Sequence, residues 1–113
     1  MKRFSLEEFF KKNVIFEDSH RGYDFFIKFN DFFPPGHHCA YVRIPRDHPY
    51  FEVHYDDINI SVHGGLTFSE MVDGEYWIGW DYGHGGDKVR NFDLIDYIKD
   101  CCSVIMQLPE IQK

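Results

Sequence analysis

The sequence predicts an α+β domain in which a mostly antiparallel sheet of four to six strands carries a short N-terminal helix and a longer C-terminal amphipathic helix. Short segments of alternating or aromatic residues, separated by turn-forming residues, predict the strands. Helical spacing of apolar residues and capping signals occur near the two ends of the chain. With 113 residues the chain builds one hydrophobic core, so residues 1–113 are predicted to form a single domain.

The first 44 residues predict one helix and three strands. Ser5-Leu6-Glu7-Glu8 has the pattern of a capping box, which predicts a short helix through about Lys12. A turn at 20–22 separates the first two strands, and Pro34-Pro35-Gly36 ends the second. The predicted strands are Val14–Phe16, Tyr23–Phe29 (with a helix as the weaker alternative) and Ala40–Ile44.

The second half predicts three strands and the closing helix. Ile58, Ile60 and Val62 alternate with polar residues, which predicts a half-buried strand ending at His63. A short strand over 66–68 and a turn at 72–74 follow. The segment 75–82 alternates again and places Trp80 and Tyr82 on the same face. Apolar residues from Leu94 to Leu108 recur at helical spacing, with Asn91 or Asp93 as cap and Pro109 beyond the end.

Composition limits the classes of partner. The net charge is −7, which opposes non-specific binding to duplex nucleic acid and suits either a basic protein partner or plain solubility. Three cysteines, two of them adjacent, lack zinc spacing and indicate free thiols in a reducing compartment. Neither a signal-peptide segment nor a membrane span is predicted, so we expect a cytoplasmic protein without membrane association.

A duplicated His-Gly-Gly tripeptide marks the candidate site. One copy is His63-Gly64-Gly65, and the other is His84-Gly85-Gly86 within the segment from Asp81 to Asp87. If the strands that precede the two copies are neighbours, His63 and Asp81 project to one polar face and the glycine loops emerge close together. His48, in a loop bounded by prolines, completes the rim of this site.

Three interpretations of the site remain open at this stage. In the first, the glycine amides bind a phosphate-bearing small molecule, a histidine donates or acts as general acid, and aromatic rings stack on the ligand. In the second, a divalent metal bound by His63, Asp81, His84 and Asp87 activates water for hydrolysis. In the third, the same residues only cap strands and turns. The predicted ligand-binding residues are His48, His63, Gly64, Gly65, Thr67, Trp77, Asp81, His84, Gly85, Gly86, Asp87 and Arg43, with Trp80 and Tyr82 as further stacking candidates.

Other residues are weaker candidates. His37 and His38 stand beside Cys39 after a Pro-Gly segment, where we expect them to be solvated rather than to bind metal. A cysteine or serine nucleophile is not predicted, because no nucleophile-elbow motif is present.

Five spaced motifs resemble a family of small proteins found largely in bacteriophage and prophage genomes. The motifs are Tyr41–Pro45, His48-Pro49, Val62–Phe68, Trp77–Asp81 and His84–Asp87, in that order. The chain differs from the family pattern at Trp80, Tyr82 and Gly85, where Phe, Cys and Ala are commoner. The polar residues of the candidate site are unaffected by these differences.

The resemblance implies a phage-encoded accessory protein of the host-cell cytoplasm. Such proteins counteract host defence by sequestering or degrading nucleotide signals, or by blocking a defence protein. The expected function is therefore recognition of a nucleotide-like small molecule, by binding or by hydrolysis. An acidic inhibitor that binds a basic host protein is the alternative, and a homodimer is an open expectation.

Overall fold

A computed structural model describes residues 6–31, 36–83 and 92–111. Within these residues the elements are α1 (Leu6–Phe10), β1 (Val14–His20), β2 (Tyr23–Asn30), β3 (His37–Ile44), a 3-10 helix (Tyr55–Asp57), β4 (Phe68–Val72), β5 (Glu75–Asp81) and α2 (Leu94–Gln107). All strand pairs are antiparallel, in the order β1-β2-β3-β5-β4. The predicted α+β class, with one antiparallel sheet and a helix near each end, is confirmed.

Two tight hairpins form where the sequence predicts turns. Arg21 and Gly22 join β1 to β2, and Asp73 and Gly74 join β4 to β5, all four with φ between 51° and 85°. Two consecutive residues with positive φ are typical of the hairpin turn whose twist matches that of the flanking strands. The sheet therefore consists of two hairpins, with β3 lying between them.

The larger core lies on the sheet face that α2 covers, called here the α2 face. Ile27, Val42 and Ile78 come from three neighbouring strands and are fully buried there. Asp93 begins α2 with a capping box: its carboxylate accepts from the Asp96 amide, and the Asp96 carboxylate accepts from the Asp93 amide. The predicted cap at Asp93 is confirmed, whereas Asn91 lies outside the described residues. No helix in the described part of the chain is long and apolar enough to cross a lipid bilayer.

A second core lies on the opposite face, called here the α1 face. Phe10, 2% exposed, packs edge-on against the rings of Phe26, Tyr41 and Trp77 at centroid distances of 4.6–5.5 Å. The Tyr41 ring lies across Gly79, where a Cβ atom would come within 2.4 Å of it. Both faces of the sheet are therefore covered, and the predicted N-terminal helix is confirmed from residue 6. Ser5, its predicted cap, lies outside the described residues.

The predicted strand over 58–63 is wrong. That segment belongs to a long loop between β3 and β4, although Ile58 is buried and Ile60 and Val62 pack against the same core. The Gln107 side chain, on α2, supplies the hydrogen bonds that a neighbouring strand would supply: it accepts from the Ser61 amide and donates to the Ser61 carbonyl. The apolar alternation reflects packing beside a helix instead of pairing in a sheet.

Several element boundaries also differ from the prediction. Strand β1 continues past Phe16 to His20, and α1 ends at Phe10 and not near Lys12. The short strand expected over 66–68 instead begins at Phe68 and continues to Val72. Strand β3 begins at His37 and not at Ala40, so the paired histidines belong to the sheet.

Candidate functional site

Five of the predicted or neighbouring residues lie at one end of the sheet, where β5 ends and β3 begins, and they form two contact groups. This sheet-end cluster consists of His63, Thr67, Asp81, Tyr82 and Phe92. His63 packs with Tyr82 and Phe92 beside the α2 face, whereas Asp81 is bonded to Thr67 and follows the alternation of Trp77 and Gly79 on the α1 face. The prediction that His63 and Asp81 project to one polar face is therefore wrong.

Asp81 pairs with Cys39 in the register of β5 and β3, and the Tyr82 amide extends the pairing by donating to the His38 carbonyl at 2.9 Å. The cluster is therefore anchored to the central strands.

A tight turn places His63 in the cluster. The Gly65 amide donates to the Val62 carbonyl at 2.8 Å, and Gly64 has a φ of 70°. A turn with positive φ at its third residue favours glycine there, which explains the first His-Gly-Gly copy by backbone geometry. Because the Gly65 amide already has an acceptor, it does not serve as the predicted anion donor.

The His63 ring is held between two other rings. It stacks on Tyr82 with centroids 5.0 Å apart and an interplanar angle of 15°, and it meets Phe92 edge-on at 5.2 Å. The Tyr82 hydroxyl donates to the Asp100 carboxylate at 2.5 Å and accepts from the Trp80 indole at 3.1 Å. Burial raises the pKa of Tyr82, so its hydroxyl stays protonated. Tyr82 is thus a fixed, neutral platform beneath the imidazole.

Asp81 holds two loops together. Its carboxylate accepts from the Thr67 hydroxyl and from the Gly83 amide, each at 3.0 Å. The Thr67 amide in turn donates to the Gly79 carbonyl at 2.9 Å. Asp81 therefore ties the loop that follows Gly65, and the first residues after β5, to the end of the sheet. Its described contacts make it a positioning residue.

His37 and His38 also lie at this end of the sheet, which sequence reasoning missed. A Cβ atom on Gly83 would come within 3.0 Å of the His37 ring. The His38 ring stacks on Tyr97 at 4.7 Å and shares a hydrogen bond of 3.1 Å with its hydroxyl. Burial, and the neighbouring His37, lower the pKa of His38. The signal was present, because alternation from His38 to Ile44 predicts a strand that begins before Ala40.

The second His-Gly-Gly copy lies outside the described residues, as do all of His84, Gly85, Gly86 and Asp87. The described residues on either side of that segment are Gly83 and Phe92. Gly83 donates to Asp81, and Phe92 contacts His63. Both copies are therefore connected, along the chain, to the same end of the sheet.

The other predicted site residues lie elsewhere in the sheet and its loops. Arg43 and Trp77 are four residues away from the Cys39–Asp81 pair along their strands, which is about 13 Å. His48 contacts Tyr23, at the opposite end of the sheet. Trp80 is 1% exposed in the larger core and offers no surface for stacking.

The described residues contain no group of three His, Cys, Asp or Glu side chains that could hold a metal ion. Two of the four predicted metal ligands, His84 and Asp87, are outside those residues. Burial raises the pKa of the Cys39 thiol to about 11, so this thiol is protonated near neutral pH.

Comparison of the chain with protein-family models, curated proteins and solved structures finds no match.

Proposed function

We propose that this protein is a small binding protein that recognises a phosphate-bearing, nucleotide-like molecule at the sheet-end cluster. The observation that supports the proposal most directly is the placement of partly exposed His63 and Asp81 at the same end of the sheet, where His63 stacks on Tyr82 and Asp81 accepts from Thr67. The His63 imidazole offers a hydrogen-bond donor to phosphate oxygens, and aromatic rings offer stacking surfaces to a base, whereas the Thr67 hydroxyl already donates to Asp81 and holds that carboxylate in place.

The cluster is held in place before a ligand arrives. His63 is fixed by two rings, and Thr67 is fixed by Asp81 through its hydroxyl and by Gly79 through its amide. Ordered side chains lose less conformational entropy on binding, so a small, partly exposed site can still bind usefully. Because the Gly65 amide already donates to the Val62 carbonyl, the proposed binding of phosphate by glycine amides depends on the second His-Gly-Gly copy.

The net charge of −7 works against an anionic ligand at long range. Affinity must therefore come from short-range hydrogen bonds and stacking at the cluster. This requirement makes the proposal sensitive to single substitutions there.

The proposed setting follows from the resemblance to small phage proteins. A binding protein of this kind, produced in the host cytoplasm, removes a nucleotide signal on which a defence system depends. Turnover of the bound nucleotide is the enzymatic form of the same proposal, and product analysis after incubation distinguishes turnover from sequestration.

The first experiment is native mass spectrometry of the protein freshly purified from cells, followed by calorimetric titration with linear and cyclic nucleotides and with inorganic phosphate. We expect a bound mass or a titratable nucleotide. His63→Ala and Asp81→Ala should each weaken binding at least tenfold, which corresponds to about 1.4 kcal/mol. Circular dichroism should show that both variants remain folded.

His20→Ala is the matched control, because it removes an imidazole at the opposite end of the sheet. If His63→Ala and His20→Ala bind the nucleotide equally well, the sheet-end cluster is not the binding site. Adding Zn²⁺ or Mn²⁺ in a melting assay tests the metal-dependent alternative, which requires the metal to raise the melting temperature.

A further inference from the structure

A hollow on the α1 face combines an aromatic floor with an acidic rim. Its volume is about 370 Å³, and the rings of Phe26 and Trp77, which are 1% and 3% exposed with Lys11 in place, form the floor. The rim carries three carboxylates on this face of the sheet, on Glu17, Asp24 and Glu75. The hollow lies near the β1–β2 turn, at the end of the sheet away from Asp81, so it is separate from the sheet-end cluster.

One cation of this chain, the Lys11 ammonium, already lies over the aromatic floor. The Lys11 ammonium lies 4.9 Å from the Phe26 ring centroid and 4.7 Å from the Trp77 ring centroid. Both distances fall within the range in which a ring quadrupole attracts a positive charge. Lys11 is exposed and follows α1, so its side chain can leave the hollow without unfolding an element.

The rim holds more negative charge than the chain neutralises. Arg43 pairs with Asp24 at 3.1 Å and with Glu75 at 3.4 Å. In the described part of the chain, Glu17 does not pair with a cation. With Lys11 and Arg43 counted against the three carboxylates, the hollow has a formal charge of −1, and this becomes −2 once Lys11 has left the rings.

We infer that this hollow docks a basic segment of a partner protein, with an arginine side chain displacing Lys11 from the two rings. A guanidinium group both stacks on aromatic faces and pairs bidentately with carboxylates, and the hollow presents both features. The net charge of −7 steers such a partner towards the protein. The surface supplies the contact that an acidic, protein-binding inhibitor requires.

The test measures fluorescence anisotropy of a labelled six-residue arginine peptide titrated with the intact protein at low salt. Lys11→Ala should tighten binding about threefold, because the competing ammonium is gone. Lys12→Ala is the matched control: it removes the same charge from a neighbour whose ammonium faces Asp31 at 4.0 Å and not the hollow. Lys12→Ala should therefore tighten binding much less.

The rim is tested with a second matched pair. Glu17→Gln should weaken binding at least fivefold, whereas Asp57→Asn, at the 3-10 helix, changes the net charge equally and should change binding less than twofold. Equal weakening in the two variants would mean that only net charge matters, and the proposal would be wrong. Equal behaviour of Lys11→Ala and Lys12→Ala would also overturn it.

Competition with spermine, a free polyamine, tests whether the hollow binds a small polyamine instead of a protein segment. We expect spermine to displace the peptide only at much higher concentration; displacement at the peptide's own concentration would identify a polyamine site and overturn the protein-docking proposal. The result is independent of the nucleotide proposal. His63→Ala should leave peptide binding unchanged, and Glu17→Gln should leave nucleotide binding unchanged.

Discussion

Among single residues, His48 has hydrogen-bond partners that determine which of its ring nitrogens carries the proton. Its Nδ1 accepts from the Tyr50 amide at 3.0 Å, so the ring proton is on Nε2, which lies 2.7 Å from the Tyr23 hydroxyl. That hydroxyl donates onward to the Pro109 carbonyl. Burial lowers the pKa of His48, and the nearby Asp47 opposes the shift only in part. A neutral imidazole thus joins the loop after β3, the start of β2 and the chain beyond α2.

We expect His48 to make stability depend on pH. A depressed pKa means that the folded state binds fewer protons, so this stabilisation is complete above about pH 6.5, the ordinary histidine value, and is lost as the pH falls through the folded pKa. His38 acts in the same direction. His48→Ala should cost about 1–2 kcal/mol at pH 7.5, for two lost hydrogen bonds, and should flatten the profile below pH 6.5.

Urea unfolding between pH 5 and 8 measures this profile, and nitrogen NMR of the imidazole reports the tautomer. A proton on Nδ1 at neutral pH, or a titration midpoint of His48 above pH 6.5, would contradict this tautomer and this direction of the pKa shift.

Asp81, at the candidate site, is a second residue whose hydrogen bonds define its role. Its residue type was identified from the sequence, but its described role is to hold Thr67 and Gly83 in position.

At the scale of elements, α1 is a five-residue helix that owes its stability to tertiary contacts. Helices of this length are not stable alone in water. Phe10 fills the centre of the α1-face core, and the buried Lys28 ammonium donates to the Phe9 carbonyl at 2.7 Å near the end of the helix. A cation at a helix C-terminus is favourable, and this one adds a second hydrogen bond to a carbonyl that also accepts from the Lys12 amide at 3.2 Å.

Phe10→Ala should therefore destabilise the whole domain by about 3–5 kcal/mol, the usual cost of removing a buried phenylalanine ring. Ile15→Ala is the control, because Ile15 is 47% exposed on β1 and should cost at most about 1 kcal/mol. Denaturant unfolding measures both free energies. Similar losses for the two variants would mean that α1 does not contribute to the stability of the sheet.

At the scale of the whole molecule, charge is the dominant global property. Nineteen acidic and twelve basic residues leave a net charge of −7 on a chain with a radius of gyration of 14.1 Å. The surplus carboxylates repel one another, and salt at physiological ionic strength screens this repulsion beyond about 8 Å. The described ion pairs lie on the surface, with partly exposed side chains, and such pairs contribute little to stability. Whether the molecule forms the predicted homodimer is answered by the subunit count in native mass spectrometry.

We expect added salt to stabilise the protein, since screening weakens net repulsion in the compact state more than in the unfolded chain. The melting temperature should rise by a few degrees between 10 and 200 mM NaCl. Asp56→Asn/Asp57→Asn, which lowers the net negative charge at an exposed site, should reduce that rise. A melting temperature that falls with salt would show that ion pairs outweigh repulsion.

Local signals in the sequence were sufficient for most of the fold. Both hairpin turns, the strand 75–82 with its buried face, the cap at Asp93 and the α+β class follow from backbone preferences and from periodicity within single elements. Those preferences act between residues close together along the chain, so they can be read without knowing what lies beside them.

Pairing partners and side-chain environments were decided only by the tertiary structure. The segment 58–63 alternates as a strand would, but the Gln107 side chain occupies the position of a neighbouring strand. The register of β3 with β5 places Arg43 and Trp77 four residues from Asp81, and His48 lies at the other end of the sheet, while His37 and His38, expected in a solvated loop, lie beside the candidate site. The sequence by itself determined the residue types of the candidate site and the elements that they follow. Their distances depended on long-range packing, because alternation specifies the face of a segment and not the element against which that face packs.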